Sequence, residues 1–99
     1  MTRTASIALS GLQAASRQMQ VSAHNIANQG TDGFRRQRLQ QTAAEGGGVT
    51  TSLARAEEPG DDLVTDLVGM LQAKNAWMAN LKVFKAQDET TGSLLDTLA

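Results

Sequence analysis

From Leu63 onward an apolar side chain returns at every seventh position: Leu63, Met70, Trp77 and Phe84, with Thr91 and Leu98 continuing the row. A second row, Leu67, Lys74, Leu81, Asp88 and Leu95, runs beside it. Steps of three and four keep side chains on one face of an α-helix, so the spacing predicts one long amphipathic helix over residues 62–98. Val64, Leu71 and Met78 flank this seam and widen it enough for more than one partner helix. At a rise of about 1.5 Å per residue, the helix extends roughly 55 Å.

The same period runs through residues 4–28. Ala5, Leu12, Met19 and Ile26 are seven apart, and Ala8, Leu9, Ala15 and Ala23 fill the same side. Gln13, Arg17 and Gln20 lie opposite. Thr4 or Ser6 is placed to cap the start. An alanine-rich seam lets another helix approach closely. It also buries little area, whereas a fully buried Leu or Phe contributes about 1.5–3 kcal/mol. This helix reaches roughly 37 Å, so the C-terminal helix must overhang it.

Between the two helices the pattern breaks. Gly30 is placed for a left-handed helix C-cap, and Gly33, after Thr31 and Asp32, allows a second sharp turn before Phe34. Asn25 and Asn28 share a helix face. Either their amides bond the backbone of this turn, or they stand exposed at a frayed end. Residues 38–43 and 49–54 flank Gly46-Gly47-Gly48 and are able to pair as a short β-hairpin, an element marginal by itself. Gly47 is expected in a loose run, more tolerant of a side chain than Gly33. Glu57-Glu58-Pro59-Gly60 reads as a turn, Asp61 and Asp62 as caps of the long helix, and Asp66 as negative charge favoured by its dipole.

These elements predict an all-α fold. It is a long antiparallel two-helix coiled-coil hairpin made by the N- and C-terminal segments, with a short irregular or β-hairpin middle segment. A single domain is expected over residues 1–99: helix 4–28, turn 29–36, variable loop or hairpin 37–60, helix 62–98. Each helix of such a hairpin buries one stripe only, while ordering the backbone costs about 1–2 kcal/mol per residue. Association through the open sides, with itself or with other chains, is therefore expected. Lys74, Asp88 and Thr91 in the seam are candidates for setting register.

Composition narrows the function. The 99 residues are 40% apolar and 19% charged, with a net charge of −1 and no cysteine. No global field attracts nucleic acid or an anionic membrane, and disulfide and thiol chemistry are excluded. No apolar run is long enough to span a membrane, and the N-terminus lacks the apolar core of a cleavable signal peptide. Arg35, Arg36 and Arg38 form the only basic cluster, either a phosphate grip or a solvated turn with charges for partner carboxylates. No aromatic platform stands beside them, which weighs against nucleic acid. His24 is the only histidine, so a metal site has no second nitrogen or sulfur ligand. Ser10, Ser16 and Ser22 have no base in the pattern. No catalytic residue, cofactor or metal ligand is expected, and the chain does not read as an enzyme.

The residues also carry a resemblance. Ser10-Gly11-Leu12-Gln13-Ala14-Ala15, Asn25-Ile26-Ala27-Asn28 and Thr31-Asp32-Gly33-Phe34 resemble the N-terminal signature of bacterial flagellar rod and hook proteins. Asp62-Leu63-Val64, Met70-Leu71-Gln72-Ala73, residues 76–83 and Leu94-Leu95-Asp96 are similar to the C-terminal signature of the same family. The short middle segment is most like that of the small proximal rod proteins. Trp77 stands where the family usually has tyrosine, and Met78 where glutamate is common.

The resemblance implies a structural subunit of the basal-body rod. Such a subunit is exported through the flagellar type III apparatus without a cleavable signal, and packs through both terminal helices into an axial helical tube. It further implies a periplasmic rod location, with other rod or hook-family subunits, or further copies, as partners. Partner-binding residues are then expected on the first seam, at Leu9, Leu12, Met19 and Ile26, and in the turn, at Asn25, Asn28, Thr31, Gly33 and Phe34. On the long helix they are Leu63, Leu67, Met70, Leu71 and Trp77, followed by Asn80, Leu81, Phe84, Leu95 and Leu98. The alternative is a soluble helical adaptor or export-linked regulator that binds one partner helix.

Overall fold

A two-stranded antiparallel sheet lies between two helices in the chain, in the order α1 (Arg3–Ala27), β1 (Gln37–Ala43), β2 (Val49–Arg55) and α2 (Leu63–Leu98). The computed structural model describes residues 2–98, and their side chains except those of Thr91, Leu95, Asp96 and Leu98. The molecule measures 62 × 24 × 14 Å. No helix among the described residues is long and apolar enough to cross a membrane.

The cap of α1 lies two residues before the first candidate, Thr4. Thr2 is the N-cap, its hydroxyl accepting the Ala5 N–H at 3.1 Å. α2 starts behind Asp62, whose carboxylate accepts both the N–H and the hydroxyl of Thr65. These two bonds hold the Asp62 pKa below its ordinary value. Asp61 instead accepts the Gly30 N–H, tying the first turn to the start of α2.

The helices are antiparallel. Gly11 meets Asn80, Ser22 meets Gly69 and Asn25 meets Asp66, so equal steps run in opposite directions. Thr2 donates to Gln87 at 3.0 Å, and α2 continues past that point by about 16 Å. The expected row Leu63, Met70, Trp77 and Phe84 is half-buried. The second inward row is Asp66, Ala73, Asn80 and Gln87, one residue away from the expected 67, 74, 81, 88. The reason is spacing. α1 presents Ala8, Gly11, Ala15 and Ser22, and a Cβ on Gly11 would lie 2.5 Å from Asn80 Oδ1. At this approach small or flat side chains occupy the line, and Leu67 is turned out, 44% exposed. Lys74 and Asp88 are exposed and set no register within this pair.

The all-α expectation does not hold: the architecture is two helices plus a β-hairpin. The hairpin is marginal alone, but α1 holds it. Seven pairs join the strands, from Gln37↔Arg55 to Ala43↔Val49. The strand length of roughly 23 Å matches the roughly 22 Å along α1 from Asn25 to Ser10. Val49 N–H donates to Ser10 Oγ, Arg17 donates to Thr51 Oγ1, and Arg3 donates to the Gly46 carbonyl. Ala14 and Val21 are buried in α1, and Leu39, Val49 and Thr51 are half-buried on the hairpin face shared by the odd-numbered residues. The tip is not loose. Gly47 has φ +101°, and a Cβ there would lie 2.7 Å from Ile7 Cδ1.

Candidate functional site

Asn25 ends the buried side of α1 and is 2% exposed. Its Oδ1 accepts the Gln37 N–H and its Nδ2 donates to the Gln37 carbonyl, each at 2.9 Å. The amide thus completes the backbone of the first residue of β1 as a neighbouring strand would. The same Nδ2 donates to Asp66 Oδ1 at 3.0 Å. Arg36, next to Gln37, closes the group: Nη2 reaches Asp66 Oδ1 at 2.6 Å and Nε reaches Oδ2 at 3.2 Å. The fork matches the carboxylate geometry. Hydrogen bonding to Asp66 raises the Arg36 pKa, against the opposing effect of burial. The two side chains are 19% and 5% exposed. One clasp therefore joins the end of α1, the base of the hairpin and the first turns of α2.

The glycine turn is fastened beside it. Gly30 and Gly33 take φ +82° and +73°, a region that only glycine enters freely. Asn28 Nδ2 donates back to the His24 carbonyl. Phe34 stacks edge-on against His24 with ring centres 5.5 Å apart, and its carbonyl accepts the Gly60 N–H. The arginine cluster is dispersed. Arg36 is paired with Asp66, Arg35 donates to the Ala56 carbonyl, and Arg38 stands exposed. The phosphate-grip reading finds no convergent site.

A groove of about 780 Å³ runs between the helices and the hairpin, past Ala14, Gln18, Leu39, Val64 and Val68. Its ionisable groups are Arg36 and Asp66, already bonded to each other, and Arg38. Such a set can position elements but presents no free base beside a nucleophile. Among the described residues no group of three or more His, Cys, Asp or Glu is placed to hold a metal ion.

The expected partner residues fall into three sets. Leu9, Leu12, Met19, Ile26, Leu63, Met70, Trp77, Asn80, Leu81 and Phe84 are half-buried along the helix pair, leaving part of each open. Asn25, Asn28 and Phe34 join the clasp and its turn, with Thr31 and Gly33 exposed there. Leu67 and Leu71 face outward. The side chains of Leu95 and Leu98 lie outside the described residues. Sequence reasoning missed the Arg36–Asp66 pair and the small-residue line. Asp66, Ala73, Asn80 and Gln87 recur every seven residues, and so do Ala8, Ala15 and Ser22. Both periods are visible once small and polar side chains are admitted to a seam.

Residues 6–35 match the family model described as flagella basal body rod protein. The match covers nearly all of α1, the glycine turn and Phe34, the N-terminal stretch that carries the resemblance. No curated protein matches the chain.

Proposed function

We infer that this chain, which carries the flagellar basal body rod signature over residues 6–35, is a structural subunit of the basal-body rod and acts as one rod-type domain. One observation carries this reading. The matched segment forms nearly all of α1 and its glycine turn, and contributes Asn25 to the Asn25–Arg36–Asp66 clasp. Its side chains pack and position, in keeping with a structural family.

In this reading the half-buried rows of α1 and α2 complete their burial against neighbouring subunits, forming an axial tube like that of the small proximal rod proteins. The exposed leucines, Leu67 and Leu71, add contacts on the outer side of α2, and the C-terminal overhang, with Leu95 and Leu98, extends along the next subunit. The clasp fixes the direction in which the hairpin leaves the helix pair. The subunit reaches the rod through the flagellar export apparatus. The test is genetic. Deleting the gene in its own bacterium is expected to abolish swimming and to leave basal bodies with an incomplete rod, both restored by the wild-type gene. Normal swimming with complete rods in the deletion strain would overturn the reading.

A further inference from the structure

The hairpin has a strand edge that its own chain leaves open. Ala56 N–H donates to the Arg36 carbonyl and Ala44 N–H to the Gly48 carbonyl, at the two ends of one ladder. Hydrogen-bonded pairs of an antiparallel ladder recur at every second residue, so Arg38, Gln40 and Thr42 turn their backbone groups to β2. Gln37, Leu39, Gln41 and Ala43 turn theirs the other way. The Asn25 amide takes up both groups of Gln37. Among the described residues nothing takes up those of Leu39, Gln41 and Ala43. They leave a row of alternating donors and acceptors that runs roughly 14 Å.

This edge borders the groove beside α2. Leu39 and Gln41 line it from β1, Ala14 and Gln18 from α1, and Val64 and Val68 from α2. No Cα of either strand lies within 8 Å of a Cα of α2, which leaves room beside β1 for a strand at the usual spacing of about 4.8 Å. The far wall is apolar and uncovered, with Val64 72% and Val68 46% exposed. The edge carries no lysine or proline to repel a further strand.

These features select the occupant. An open row of N–H and C=O groups is matched by extended backbone, not by a helix, whose groups are bonded internally. A groove of about 780 Å³ holds a short segment, not a second folded chain. Of its ionisable groups, Arg36 and Asp66 are bonded to each other, so the charge it offers a ligand is the positive one of Arg38. We propose that this slot binds an extended segment of another protein, added to β1 as a third strand. Its apolar side chains lie at alternate positions over Ala14 and Val68, and a carboxylate stands beside Arg38. Asn25 holds the end position of that strand. The proposal stands or falls without the rod reading.

Nuclear magnetic resonance on the isotope-labelled full chain tests it. The probe is a synthetic acetylated and amidated peptide with valine at alternate positions, serine between them, and one serine replaced by glutamate. Saturable downfield shifts of the Leu39, Gln41 and Ala43 amide protons are expected, with those of Arg38, Gln40 and Thr42 nearly unmoved. Gln41→Pro removes one outward N–H from an edge strand, where proline is tolerated. It is expected to weaken binding at least tenfold with unchanged far-UV circular dichroism. The same peptide N-methylated throughout lacks the donors and is expected not to bind. Arg38→Glu is expected to weaken the glutamate peptide at least tenfold and to favour a peptide with lysine in its place. No saturable shift with millimolar peptide would overturn the proposal. So would binding of the N-methylated peptide, or shifts confined to the outer side of α2. Shifts of the same three amides with protein concentration alone would give the edge to a second copy and overturn it as well.

Discussion

Replacing Asp66 with alanine removes the acceptor of three hydrogen bonds, one from Asn25 Nδ2 and two from Arg36. Asn25 keeps its bonds to the Gln37 backbone, so its amide is not orphaned. Arg36 loses both of its bonds and retains a charge. Breaking a buried ion pair from one side costs roughly 3–5 kcal/mol. The Arg36 side chain is 19% exposed and can turn partly to water, which places the loss at the lower end, about 3 kcal/mol. That is a large fraction of the roughly 5–15 kcal/mol that holds a typical domain folded. Urea unfolding followed at 222 nm, at one fixed protein concentration, measures it. Arg36→Met leaves a 5% exposed carboxylate with the Asn25 amide as its remaining donor and is expected to cost a similar amount. The double variant should cost clearly less than the sum, with a coupling of about 2 kcal/mol. Single variants within about 0.5 kcal/mol of wild type, or strictly additive losses, would show that the clasp does not hold the three elements together.

Three further outcomes follow from the same geometry. Gly47→Val is expected to lower the melting temperature at least as much as Gly33→Val: both force a β-branched residue into left-handed backbone, at about 1–2 kcal/mol, but only Gly47 also meets Ile7. A larger loss at Gly33 would mean that the hairpin tip is not packed on α1. Asp62 has its folded pKa held below 3.8 by Thr65, so its contribution is full above that pH and lost as pH falls through the lower folded value. The stability difference between wild type and Asp62→Asn, read from urea midpoints, should therefore change below pH 3.8 and stay flat above it; a change confined to neutral pH would refute the cap. Trp77 is half-buried between Met70 and Phe84, so Trp77→Ala should cost about 2 kcal/mol, less than the roughly 3–5 kcal/mol of an enclosed aromatic site, and a neutral effect in urea unfolding would contradict the seam.

Much of this architecture is written in periodicity. The seven-residue rows locate both helices, and the β-branched arm after the glycine run locates the hairpin. Three features escape such reasoning because they depend on what the partner element presents. Apolarity favours Leu67 for the second row of α2, but α1 offers alanine, glycine and serine, and the close approach that follows admits Asp66, Ala73 and Asn80 on that line. The hairpin reads as marginal because its own contacts are few, and the support from Ser10, Arg17 and Asn25 comes from a distant stretch of sequence. Asp66 fits the helix dipole so well by position that its ion pair with Arg36, thirty residues away, leaves no local trace.

The most direct test of the structural-subunit account is to purify basal bodies from the bacterium that carries this gene and to look for the chain in the rod by mass spectrometry and antibody labelling. The account predicts the chain in stoichiometric amounts within the rod, and its disappearance together with the rod when Asp66→Ala/Arg36→Met replaces the wild type. Complete rods that lack the chain, with the protein confined to the cytoplasm, would contradict it.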